Sequence, residues 1–283
     1  MPGHVAVVTD STAYLPAELL ARHPVTVVPL QVVVDGRAYD EGSGEVDVAH
    51  ALRRGACVTT SRPAPDVVLA AYLAAADAGA SAVVSVHLSA EMSGTCAAAE
   101  LAARDAPLPV RVVDSRSLGM GLGFAVLAAL AAVRAGADLD AVAEAARCRA
   151  AAGRALFYVD TLEYLRRGGR IGGARSLLGS ALAVKPLLHL VDGAIEPLER
   201  VRTAGRARAR LVDLTVERAG QELVDVAVHH LAAPERAAEV AGLLRERIPA
   251  LGELHVSEVG AVVGAHVGPG LLATVVAPRL LPA

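Results

Sequence analysis

Three segments of this chain carry hydroxyls where an apolar run gives way to a polar turn. VAVVTDS delivers Thr9, Asp10 and Ser11; SVHLSAEMSGT delivers Ser89, Ser93 and Thr95; VRVVDSRS delivers Asp114, Ser115 and Ser117. In open α/β sheets, ligands bind beyond the carboxyl ends of the strands, where helix N-termini present free N–H groups and partial positive charge. Asp, Ser and Thr are equally good helix N-caps. A carboxylate repels an anion, so capping is the better expectation for Asp10 and Asp114. Ser93 is balanced between the two roles. With Gly94 it offers a hydroxyl and a backbone N–H that a ligand oxygen can approach closely.

Other segments hold further candidates. In TTSRPAP, residues 59–65, Thr60 and Ser61 can donate to an anion, or Ser61 or Asp66 can cap the helix that follows. By itself this loop favours capping. LRRGGRIGG, residues 165–173, lacks the GK[ST] ending of a P-loop. A helix C-cap with dipole-matched arginines accounts for Arg166, Arg167 and Gly168. It does not account for Arg170, whose guanidinium suits a carboxylate or phosphate. Arg202, in VRT, is open between an anion contact and a solvated surface. GAHVGPG, residues 264–270, sets His266 in what reads as a tight loop. Such a histidine is less suited to core packing than His87 or His255, which sit in apolar strands. His229-His230 has no matching third ligand, so no metal site is expected there. Around Ser93 the Gly-x-Ser-x-Gly elbow of a hydrolase is missing. GMGLGF misplaces the third glycine of a dinucleotide fingerprint.

Positioning these residues requires particular elements. The first half alternates strands (HVAVVTD, SAVVSVHL, VRVVDS) with helices, and VTVVPLQVVVDG reads as one extended run closing in a turn at GRAYDEG. Continuous apolar strands alternating with helices predict a mostly parallel sheet flanked by helices. In the second half, ALFYVD, LVDVAVHHL, LHVSEVG and LLATVVAP read as strands, and TLEYLRRGG and residues 174–183 as helices. PLLHLVDGAIEPLERV reads as a hairpin turning at Asp192-Gly193, with Pro197 at an edge or bulge. Together these predict a C-terminal mixed sheet with helices, and a single boundary near residue 155 that separates an N-terminal domain of residues 1–155 from a C-terminal domain of residues 156–283.

Composition narrows the classes. The 283 residues are 54 % hydrophobic and 20 % charged, with a formal net charge of −3. That describes a folded globular chain with no basic excess for nucleic acid. Cys57, Cys96 and Cys148 are odd in number and widely spaced, which argues against a disulfide framework and for a reducing cytoplasm. The N-terminus lacks the regions of a signal peptide. The longest apolar run, Leu118 to Val133, is short for a membrane span and reads as a buried helix.

Taken in order, VVTDSTAYLP, TTSRPAP, MSGT, VVDSRSLGMGLG, DTLEYLRRGGRIG, KPLLHLVDGAIEPLERVRT and GAHVGPG resemble the DegV family of bacterial fatty-acid-binding proteins. The resemblance spans Val7 to Gly270. It implies two α/β domains with a ligand tunnel between them for a long-chain fatty acid. The acyl carboxylate would be held by Thr60 of the TS-x-P loop and by Ser93 and Gly94 of the SGT motif, with His266 in the same polar network. Ser61 and Arg170 would lie near the site, and Arg170 and Arg202 would act with a partner. That partner is a fatty acid kinase subunit, an ATP-dependent protein that makes an acyl phosphate for phospholipid synthesis. The chain itself would then be the lipid-binding subunit, with no catalytic residue, no metal and no cofactor. No nucleic acid is implied, and transient contact with a membrane is left open. One departure is Arg62, where a polar uncharged residue is more usual. The alternatives are a lipid sensor without a kinase, or an autonomous acyl- or phosphoryl-transfer enzyme using Ser93 and His266.

Overall fold

A computed structural model describes residues 4–177 and 185–279 of the chain. Its elements begin with β1 (His4–Asp10), α1 (Ala17–Arg22), β2 (Val25–Val28), β3 (Gln31–Val34), β4 (Arg37–Asp40), α2 (Val48–Arg53) and β5 (Val58–Ser61). Next come α3 (Pro65–Asp77), β6 (Ala80–His87), α4 (Thr95–Arg104), β7 (Val110–Asp114), α5 (Met120–Arg134) and α6 (Leu139–Ala152). The chain continues through β8 (Arg154–Tyr158), α7 (Glu163–Arg167), β9 (Lys185–Val191), β10 (Ala194–Val201) and α8 (Ala204–Ala219). It closes with β11 (Val224–His230), α9 (Pro234–Arg247), β12 (Leu251–Glu258), α10 (Ala261–Val267) and β13 (Leu272–Pro278).

Contacts divide the chain into two units. The first comprises Met1–Gln31 and Ser61–Ala151, the second Val32–Thr60 and Ala152–Ala283. The expected single boundary near residue 155 falls instead at Ala151/Ala152, and two further crossings occur at Gln31/Val32 and Thr60/Ser61. Side chains of the 32–60 segment explain the regrouping. Glu41 accepts a hydrogen bond from the Val262 N–H at 2.7 Å, and Val48 packs against Gly264.

The first unit holds a four-stranded parallel sheet in the order β2-β1-β6-β7. Its continuous valine strands are covered on both faces, as a parallel sheet requires. On one face Val8 and Val83 pack with Val68 and Tyr72 of α3 and Ala99 of α4. On the other lies α5, whose Met120, Leu122, Phe124 and Val126 are all buried. This helix is the apolar run Leu118–Val133, and no helix among the described residues is long and apolar enough to cross a membrane. Strand order reverses direction between β1 and β6, so the loops following these two strands flank the switch point where open sheets bind ligands.

The second unit carries a six-stranded mixed sheet, β10-β9-β8-β13-β11-β12, and a three-stranded sheet, β4-β3-β5. Leu187, Val226 and Leu272 of the large sheet pack with Leu211 of α8 and Leu244 of α9. Asp192 and Gly193 both take positive φ, +50° and +87°, as a two-residue hairpin turn with the strands' own twist demands. Pro197 lies on the edge strand, where the register shifts.

Three expectations are corrected. VTVVPLQVVVDG is not one extended run: β2 and β3 belong to different sheets, separated at Pro29, which has no N–H to continue a ladder. GAHVGPG is not wholly loop, because α10 runs through Val267. The helix expected over residues 174–183 begins as a 3-10 turn, Gly172–Leu177, and the rest of that expectation lies outside the described residues.

Candidate functional site

The strand-end hydroxyls of the first unit divide into spent and unspent groups. Asp10 accepts from Thr12 N–H at 3.0 Å, Leu88 N–H at 2.9 Å and His87 Nδ1 at 3.0 Å. Ser11 Oγ accepts from Leu30 N–H at 3.0 Å, and Asp114 from Arg116 N–H at 2.8 Å. Ser115 donates to the Ser117 carbonyl at 3.2 Å, and Ser89 Oγ accepts from Glu91 N–H. Asp10 caps the 3-10 turn Ser11–Ala13, as expected, and also ties β6 to β1; Asp114 holds its own turn and caps no helix, because the N-cap of α5 is Gly119. Ser93 differs. The N-cap of α4 is Gly94, without a side-chain cap. Among the described residues, the Ser93 hydroxyl meets only another hydroxyl, Thr95 Oγ1, at 2.8 Å.

Capping fails in the TTSRPAP segment too. Thr60 and Ser61 end β5, and the N-cap of α3 is Ala64, with no side-chain bond and Pro65 in its first turn. Ser61 donates to the Arg62 carbonyl at 3.1 Å and is exposed. Asp66 lies inside the helix.

Within the second unit, Thr60 Oγ1 and His266 Nε2 are 2.8 Å apart. His266 sits in the last turn of α10 and is half-buried. Burial, and then the nearby Arg170 charge, push its pKa down to about 4, so the ring is neutral at neutral pH. Its Nδ1 is buried and has no hydrogen-bond partner among the described residues. A buried N–H without an acceptor is rare and costly. The single ring proton is therefore assigned to Nε2, donating to Thr60 Oγ1. That leaves the hydroxyl proton of Thr60 to donate outward.

Close backbone approaches hold this histidine. A Cβ on Gly168 would come within 2.0 Å of His266 Nδ1. A Cβ on Gly268 would come within 2.1 Å of the Tyr164 ring, and one on Gly270 within 2.1 Å of an Asp160 carboxylate oxygen. DTLEYLRRGG and HVGPG thus interlock at three points: 160 with 270, 164 with 268 and 168 with 266. Gly268 also needs its positive φ of +74°. At the other end of α10, the Glu41 carboxylate bonds the Val262 N–H, placing negative charge at the helix N-terminus. Glu41, Tyr164 and Gly268 escaped sequence inspection. The only sequence signal for the last two was that both motifs pair glycines with a chemically capable side chain.

Arg166 and Arg167 both pair with Glu163, at 2.6 Å and 2.7 Å, so they are helix-surface ion pairs. Arg170 is exposed and donates to the Gly168 carbonyl at 2.7 Å, close enough for its charge to act on His266. Arg202 is exposed in the turn before α8, and no hydrogen bond or ion pair joins it to Thr60, His266 or Arg170 among the described residues.

A Ser–His–Asp constellation does occur, though not where the enzyme alternative puts it. Ser85 Oγ lies 2.7 Å from His87 Nε2, and His87 Nδ1 lies 3.0 Å from Asp10 Oδ2. All three are fully buried, and the Tyr72 hydroxyl donates to Ser85 Oγ at 2.8 Å. No substrate reaches this serine, so the chain of bonds ties β6 to the end of β1. His87 is therefore a satisfied core histidine.

One consequence concerns acid stability. His229 is buried and held at a pKa of about 4 by desolvation. Unfolded, it takes up a proton near its ordinary value of 6.5. The unfolded state therefore binds more protons between these values, and stability falls as pH falls through this window. His229 contributes up to about 3 kcal/mol of that loss, and His266 acts in the same direction. Urea midpoints measured at pH 7 and at about pH 4.5 should separate less in His229→Gln than in the unaltered protein. An identical separation would show that His229 is not held neutral.

Comparison with known proteins assigns the family. The model of an uncharacterised protein of the DegV family matches residues 4–279. A DegV domain-containing protein of Streptomyces coelicolor is 58 % identical, covering 99 % of this chain and 100 % of its own. The Bacillus subtilis protein DegV is 36 % identical, covering 95 % and 97 %. Among solved structures, a fatty-acid-binding DegV family protein from Thermus thermophilus matches with a TM-score of 0.91 at 34 % identity, covering 97 % of this chain and 99 % of that one. DegV of Bacillus subtilis, described as a fatty acid binding protein, matches at 0.89 and 33 % identity, covering 98 % and 100 %. With its ordered motifs carried on this pair of α/β units, the chain belongs to the DegV family.

Proposed function

We propose that this protein binds a long-chain fatty acid and presents its carboxylate to a separate ATP-dependent kinase. The observation that carries the proposal is the Thr60–His266 hydrogen bond, with Nδ1 left bare and the ring neutral. It turns the threonine into an outward donor. Ser93, whose hydroxyl is not spent on the backbone, and the neighbouring Gly94 N–H supply the remaining donors. Hydroxyl and amide donors remove the cost of taking a carboxylate out of water. The acyl tail requires a dry apolar channel, and each buried methylene contributes roughly 0.8 kcal/mol. The tail therefore supplies most of the affinity, and the head group sets orientation.

Neutral donors leave a carboxylate oxygen free to accept a phosphoryl group. In this proposal the acyl phosphate forms in the kinase complex, which Arg170 and Arg202 face from the exposed surface, in the cytoplasm.

Native mass spectrometry of the purified protein should find a copurified acyl chain, and delipidated protein should take up palmitate or oleate. Failure to take up either acid removes the carrier role. With a cognate kinase and ATP, the loaded protein should yield acyl phosphate. Fatty-acid binding with no kinase complex and no acyl phosphate would instead favour a lipid sensor.

A further inference from the structure

We infer that Arg62 makes this site selective for lipids with an ionised head group, by setting a fixed positive charge beside the Ser93–Gly94 donors. The inference rests on the fatty-acid proposal above. Arg62 follows Thr60 by two residues in the chain. Its side chain lies along the backbone of Gly94: Nη1 is 3.4 Å from the Gly94 carbonyl oxygen. A Cβ at residue 94 would meet Nη1 at 2.7 Å and Cδ at 3.0 Å. Glycine is thus what allows the guanidinium stem to seat there, next to Ser93.

Charge is what the other donors lack. Hydroxyls of Thr60 and Ser93 and a backbone N–H also bond a neutral alcohol or amide head, though less strongly than a carboxylate. A cation beside them widens that discrimination. Arg62 has no carboxylate partner among the described residues, and its one long contact to a carbonyl leaves most of its five N–H donors unused. The exposed guanidinium can swing its planar fork toward a ligand carboxylate while its stem stays on Gly94. The ligand class is therefore single-chain lipids with a carboxylate head, and fatty alcohols and fatty amides are disfavoured.

The test compares palmitate with hexadecanol on delipidated protein, using Arg62→Gln, Arg62→Lys and Ser93→Ala. Arg62→Gln should weaken palmitate about three- to tenfold and leave hexadecanol unchanged. It should also flatten the fall of palmitate affinity with added salt. Arg62→Lys, which keeps the charge without the fork, should recover part of the loss. If Arg62→Gln keeps the unaltered palmitate-to-hexadecanol ratio while Ser93→Ala weakens palmitate, the inference is overturned and the carrier proposal stands. If neither variant changes palmitate binding, both fall together.

Discussion

Thr60→Val is expected to lower the affinity for palmitate by about ten- to a hundredfold, the range for losing one hydrogen bond to the buried carboxylate of the proposed ligand. Valine keeps the β-branched shape that the end of β5 accepts, so the change removes the outward donor together with the acceptor of the His266 Nε2–H. His266→Gln is expected to cost less, about three- to tenfold, because it disturbs only the orientation of the Thr60 hydroxyl. The double variant should then bind no worse than Thr60→Val alone, since the histidine acts through the threonine. Ser93→Ala, by contrast, should multiply with Thr60→Val. Titration calorimetry on delipidated protein measures each constant, with thermal unfolding as a check that the fold survives. Multiplying losses for Thr60→Val and His266→Gln would mean that the imidazole touches the ligand itself. An unchanged affinity in Thr60→Val would take its hydroxyl out of the head-group site.

Two glycines give the second large effect, and they differ in kind. At Gly268 the backbone has φ +74° and the Tyr164 ring occupies the space of a Cβ. Gly268→Ala therefore combines a backbone conformation essentially confined to glycine, φ +74° with ψ 168°, with overpacking, and should destabilise by about 2–5 kcal/mol. Removing the ring with Tyr164→Ala in that background should relieve the steric share and leave about 1–3 kcal/mol of backbone strain, beside the cavity it creates. At Gly168 the backbone is ordinary, and a Cβ collides only with the His266 imidazole. Gly168→Ala should displace that ring, lowering palmitate affinity as His266→Gln does while changing stability far less than Gly268→Ala. Chemical denaturation and calorimetry on the same samples separate the two. Equal stability losses at both positions would mean that the imidazole cannot move aside, and that Gly168 serves the fold before the site.

Several features were legible from local pattern. The valine runs of β1 and β6 read as strands because burial on both faces leaves no room for polar alternation. Asp192-Gly193 read as a hairpin because few residue pairs accept positive φ twice in succession. The position of Arg170 after its glycines was a departure from simple helix capping, and the structure puts it next to His266, with an electrostatic effect on that ring. Other features were hidden. His266 looked like a loop residue because AVVGAHV is short and flanked by glycines. It is helical because the Glu41 carboxylate, far back in the chain, bonds the first turn. His87 looked apolar in its surroundings, yet it is held in a fully buried chain of hydrogen bonds from Tyr72 to Asp10.

By itself the sequence determined the alternation of strands and helices, the change of character between the two halves, and the set of hydroxyls, arginines and glycines from which a binding site could be made. Those follow from periodicity and turn chemistry, which act over a few residues. Tertiary structure alone decided which hydroxyls are spent and which remain. Ser11 is used by Leu30 and Asp114 by its own turn, whereas the Ser93 hydroxyl is used by no backbone group among the described residues. It also moved residues 32–60 into the second unit and brought Thr60 to His266 across 206 positions of chain. Satisfying a buried polar group, or seating a ring on a glycine, depends on partners that no local window contains.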